Sequence, residues 1–66
     1  MQKTYEKAER AIKRILWVLG TGKTMSGKTL YYKTALSIDW YTYALNDLLS
    51  DGRVVACSGG RYRTNQ

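Results

Sequence analysis

Apolar residues recur at helical spacing over the first third of the chain. Tyr5, Ala8, Ala11, Ile12, Ile15, Val18 and Leu19 form one stripe, and Lys3, Lys7, Arg10, Lys13 and Arg14 occupy the other faces. That spacing predicts an amphipathic helix over residues 2–19. Gly20 follows the last apolar position, where a left-handed helix cap is expected. Trp17 lies off the stripe, among Arg10, Lys13 and Arg14, either on a second packing surface or exposed to a partner.

Residues 20–27, Gly-Thr-Gly-Lys-Thr-Met-Ser-Gly, are rich in breakers and read as a loop, with Thr24 and Met25 as a short strand within it. Ser26 is the N-cap candidate for a second helix over about 27–35, with Leu30, Tyr31 and Ala35 directed inward. Ser37 or Asp39 then caps a third helix over about 39–50. Its buried face is Tyr41, Ala44, Leu45, Leu48 and Leu49, and Thr42, Tyr43, Asn46 and Asp47 look outward. Asp51-Gly52 ends it, and the period becomes strand-like. Val54–Cys57, a Ser58-Gly59-Gly60 turn and Arg61–Thr64 read as a β-hairpin within residues 53–64. Two registers fit: a Ser-Gly turn pairs Val55 with Tyr62, and a Gly-Gly turn pairs Cys57 with Tyr62.

Length makes this a single domain, since 66 residues bury one small core. A hydrophobic content of 44% with six tyrosines is that of a folded chain. Cys57, the single cysteine, excludes an internal disulfide, and with no histidine the chain has no zinc-ligand set. Cys57 reads as a small half-buried strand residue in a reducing, cytoplasmic protein. The longest apolar run, Ile15 to Leu19, is too short for a membrane span or a signal-peptide core. A net charge of +6 is the first functional signal, because a small basic domain attracts polyanions.

The segment from Thr24 to Thr64 resembles the winged helix-turn-helix superfamily of DNA-binding domains. Ala44-Leu45-Asn46-Asp47-Leu48-Leu49-Ser50-Asp51-Gly52-Arg53-Val54 is similar to a recognition helix running into the first wing strand. Ser58-Gly59-Gly60-Arg61-Tyr62-Arg63 is similar to a wing tip and returning strand, and Leu36-Ser37 sits at the turn between the second and third helices. The resemblance implies an α+β fold: a three-helix winged helix-turn-helix with a C-terminal two-stranded β-hairpin wing. It also implies that the third helix enters a major groove while the wing meets backbone or minor groove. Carried over by position, the base-facing candidates are Ser37, Asp39, Trp40, Thr42, Tyr43 and Asn46. Lys28 and Lys33 on the second helix, with Arg53, Arg61 and Arg63 on the wing, are the phosphate-neutralising candidates. The third helix carries Asp39 and Asp47 and no cation, so the usual arginine or lysine contact to guanine is not open to it. Asn46 is the candidate adenine reader.

Gly22-Lys23-Thr24-Met25-Ser26-Gly27-Lys28-Thr29 matches the P-loop pattern G-x-x-x-x-G-K-[ST]. A P-loop needs a buried parallel strand before it, and the preceding segment has helical periodicity. The expectation is a basic loop leading into the second helix, whose amides and lysines suit a DNA phosphate. No set of acid, base and nucleophile is legible, so no enzymatic activity, cofactor or metal is expected. The expected partner is double-stranded DNA, for a regulator of transcription, replication or recombination of the kind viruses, phages and plasmids encode. A winged helix serving as a protein–protein interaction module is the alternative, favoured by the acidic third helix, and RNA is a third. A second copy of the chain is a further candidate partner, since paired half-sites raise affinity and specificity. Trp17, Trp40 and Tyr43 are too many large rings for so small a core, so at least one is expected to be exposed.

Overall fold

The computed structural model describes residues 2–20 and 22–65, and side chains from residue 6 onward within them; the side chains of Lys3 and Tyr5 lie outside the described residues. The elements in chain order are α1 (Gln2–Leu19), β1 (Met25–Ser26), α2 (Gly27–Thr34), α3 (Ile38–Asp51), β2 (Val54–Cys57) and β3 (Arg61–Thr64). Together they make an α+β fold of three helices and a three-stranded antiparallel sheet in the order β1-β3-β2. The expected two-stranded hairpin is therefore corrected to three strands. Its free edge is taken up by Met25 and Ser26, which pair with Tyr62 and Arg61. An unpaired edge leaves backbone donors and acceptors unmet, and even two residues satisfy some of them.

The stripe on α1 buries Ala8, Ala11, Ile15 and Leu19, and Ile12 and Val18 pack partly against the same core. Gly20 ends the helix in the left-handed region, its N–H bonded to the Leu16 carbonyl at 3.0 Å. Ser26 caps α2, its Oγ accepting from the Thr29 N–H at 3.2 Å. Gly27 packs closely: a Cβ there would stand 3.2 Å from the Tyr62 ring, a tight contact that the ring would have to ease by a few tenths of an ångström.

Inside α2 the inward residues are Leu30 and Thr34, not Ala35. Thr34 is one helical turn after Leu30 and satisfies its hydroxyl by donating to the Tyr31 carbonyl at 2.8 Å. Ala35 is instead exposed and forms the C-cap in the left-handed region, at φ 57° and ψ 27°. A Cβ-bearing residue is disfavoured there by about 1–2 kcal/mol. Ala35→Gly is expected to stabilise the fold by about 0.5–1 kcal/mol, after the larger unfolded-state entropy of glycine is offset. The check is a shift of the urea midpoint to higher concentration with an unchanged slope.

Ser37, rather than Asp39, caps α3, accepting from the Trp40 N–H at 3.4 Å. Asp39 lies in the first turn, where a carboxylate complements the helix dipole. Gly52 closes α3 at φ 77°. The buried face is Tyr41, Ala44, Leu45 and Leu48, with Leu49 half-buried beside them.

Neither anticipated hairpin register occurs. Cys57 pairs with Arg61 and Ala56 with Tyr62, so the turn has three residues, Ser58 to Gly60. Gly59 and Gly60 both adopt positive φ, 79° and 70°, which lets the tip accommodate the extra residue. Val54 and Thr64 pair and are both buried, which sets this face of the sheet on the helices. The Thr64 hydroxyl donates to the Gly20 carbonyl at 2.9 Å, tying the end of the sheet to the end of α1. The core so formed joins Ile15 and Leu19 of α1, Leu30 of α2, Leu48 of α3 and Val54 of β2.

Tyr41 ties α3 to the start of α2, its hydroxyl donating to the Gly27 carbonyl at 2.8 Å. Burial raises its pKa above the ordinary 10.0, and neighbouring Tyr62 adds to the effect. The folded state thus holds this proton more tightly than the unfolded chain does. The associated stability is complete below about pH 10 and is lost as pH rises through the folded value. Tyr41→Phe is expected to cost about 1 kcal/mol at neutral pH and to soften the alkaline loss of stability. Denaturant melts on both sides of that pH read both effects.

Candidate nucleic-acid interface

The outward side of α3 presents Asp39, Thr42, Tyr43 and Asn46, all exposed and at positions three, four and seven apart. Ser37 is exposed just before them, with its hydroxyl already engaged as the cap. Trp40 lies elsewhere. It is half-buried on the flank against α1, lining a groove with Lys7, Arg10, Ala11 and Leu36. Tyr43 sits beside it, the two rings meeting edge to face at 5.8 Å. Tyr43 also lines a cleft with Glu9 and Ile12 of α1 and Asp47 and Arg53. So the six candidates divide: Thr42 and Asn46 face solvent squarely, while Trp40 and Tyr43 turn toward α1.

The cations divide as well. Arg61 and Arg63 alternate along β3 and are both exposed, while Thr64 is buried, so the two arginines share the solvent face of the hairpin. Lys28 is the second residue of α2, two after Ser26, the partner of Arg61, and the Gly27 N–H bonds the Gly60 carbonyl at 3.2 Å. The pairing of β1 with β3 therefore sets the start of α2, with Lys28, near the Arg61 end of the hairpin, and Arg63 lies two residues further along β3, opposite Val55. Lys33 is exposed in the last turn of α2, where its charge also complements the helix dipole. Arg53 is not with them. It precedes Val54 at the opposite end of the ladder and pairs with Asp51 at 3.3 Å.

Tyr32 was not anticipated. It is 68% exposed on the outer side of α2, one turn after Lys28 and next to Lys33. The signal was present in the spacing: Lys28-x-x-x-Tyr32 sets both on one face, away from Leu30 and Thr34. Its ring leans on Tyr31 at 5.6 Å, and Tyr31 in turn meets Tyr41 edge-on at 5.1 Å. Tyr32 is thus an exposed aromatic with one ring, Tyr31, against it.

The segment matching the P-loop pattern is taken up by local structure. Its strand, β1, is two residues long and antiparallel to β3, and its Ser26 Oγ is shared by the Thr29 N–H and the Thr29 hydroxyl at 3.0 Å. Among the described residues no helix is long and apolar enough to cross a membrane, and no cluster of metal-ligating side chains occurs.

Charge is unevenly spread. Of the five carboxylates, Asp39, Asp47 and Asp51 are on α3, whereas the eleven cations lie on α1, on α2 and along the loops and sheet. Lys28, Lys33, Arg61 and Arg63 are exposed cations able to meet a polyanion, and Thr42 and Asn46 are exposed neutral hydrogen-bonding side chains on α3. Comparison with protein-family models, with curated proteins and with solved structures finds no match to this chain.

Proposed function

We propose that the chain binds double-stranded DNA as a small winged helix-turn-helix protein. In this reading α2, the Ala35–Ser37 turn and α3 are the helix-turn-helix, and β2 and β3 are the wing. The observation that carries it is the placement of Arg61 and Arg63 on the solvent face of the hairpin, with the start of α2 paired alongside at Arg61. Cations so placed neutralise phosphates on either side of a helix seated in a groove. Thr42 and Asn46 are the side chains of α3 that reach base edges, Asn46 by its two-hydrogen-bond match to adenine. The absence of any cation on α3 makes base readout light and the backbone contribution dominant. Such a domain acts as a regulator of transcription, replication or recombination by occupying DNA, with no bond made or broken.

Fluorescence-anisotropy titration of random duplex DNA, at low and near-physiological salt, tests the reading. Binding that falls steeply as salt rises supports it. No binding at low salt rules it out.

A further inference from the structure

A second basic surface lies apart from the hairpin. Lys7, Arg10, Arg14 and Trp17 recur along one ridge of α1, and that ridge faces the turn between α2 and α3. Two grooves run between them, of about 690 Å³ and about 270 Å³, and they share Arg10 and Leu36. Lys13 lines the larger one too, and no carboxylate lines either. Among the described residues the one ion pair is Arg53 with Asp51, so these cations carry their charge unpaired.

The groove is also apolar and rigid. Leu36 and Ala35 lie in it, Trp17 stands 78% exposed at one end, and Trp40 lines the other. Arg14 Nε donates to the Thr34 carbonyl at 3.0 Å, and its guanidinium lies 5.9 Å from the Trp17 ring centroid. That hydrogen bond fixes the fork and leaves its other N–H groups for an incoming carboxylate. A bare tryptophan beside an oriented arginine is the composition of an interface centre.

We propose that this groove docks an acidic segment of another protein, its apolar side chains on Trp17, Leu36 and Trp40 and its carboxylates on Arg10, Lys13 and Arg14. Charge selects this occupant. A second copy of the chain brings its own net charge of +6 and is repelled. Duplex DNA offers anionic phosphates and no apolar side chains at its surface, so the ring-lined floor would stay wet beneath it. A polypeptide with acidic and apolar residues on one face satisfies rim and floor together. The site does not depend on the DNA-binding reading, so either can fail alone.

Both tryptophans of the chain line this groove, so intrinsic fluorescence reports on it directly. The probe is a synthetic helical peptide carrying glutamate and leucine along one face. The expected result is a saturable blue shift of tryptophan emission, with affinity lowered about tenfold or more by Arg10→Glu. Arg61→Ala/Arg63→Ala leaves the titration unchanged. Trp17→Ala removes an exposed ring, keeps Trp40 as reporter and also weakens binding; circular dichroism establishes that each variant is folded. No shift with the peptide overturns the proposal. So does a shift produced instead by duplex DNA or by phosphatidylserine vesicles, which would make the ridge a nucleic-acid or membrane surface.

Discussion

Leu48→Ala is expected to leave a large fraction of the protein unfolded at room temperature. Leu48 is wholly buried on α3, in the core that joins all three helices to Val54. Truncating a buried leucine costs about 2–5 kcal/mol, through lost burial and the cavity left behind. A domain of 66 residues has roughly 3–10 kcal/mol in total at typical stability per residue. The loss is therefore comparable to the whole. A urea melt shows the outcome as a midpoint at or near zero denaturant. Leu49→Ala, half-buried at the edge of the same helix, is the contrasting change and stays folded.

Under the proposed DNA-binding function, Arg61→Ala/Arg63→Ala is expected to give the largest loss in DNA binding of any change that spares the fold. Both side chains are exposed, so no core contact goes with them. Each phosphate contact adds about 0.9 to the dependence of log affinity on log salt, so the double variant should flatten that slope by about 2. Weakening should be uniform across DNA sequences. Anisotropy titrations over a salt series read the slope, and an unchanged slope would remove the hairpin from the interface.

The helices were legible because their signals are local. Seven apolar positions at helical spacing defined α1, and Gly20, Ser26 and Gly52 each cap the helix they were expected to cap. What failed depended on distant partners. Thr34 is buried where Ala35 was expected because its hydroxyl is satisfied within its own helix, so a polar residue enters the core without penalty. A short strand expected at Thr24 and Met25 lies at Met25–Ser26, but its pairing with β3 depends on residues far along the chain and has no period to read. The hairpin register turned on whether one glycine or two adopt positive φ, which composition does not distinguish.

The candidate site shows the same division. Every cation in it could be named from the sequence, but not their grouping. Arg53 and Arg61 look equivalent on the two strands of a hairpin, yet the antiparallel ladder sets them at opposite ends and Asp51 takes one of them. Trp40 differs from Thr42 by two positions on α3, and that rotation carries it from solvent to the flank against α1.

The middle strand of the sheet, β3, is synthesised after every other described element. Neither β1 nor β2 has a strand partner until residues 61–64 leave the ribosome. Until then the core that α1 shares with α2 and α3 lacks the cover that Thr64 and Val54 complete. The helices can form during translation, but the sheet closes in one late step. A nascent chain halted before Arg61 therefore carries α1, α2 and α3 in order and still lacks the hairpin arginines and the lid on its core.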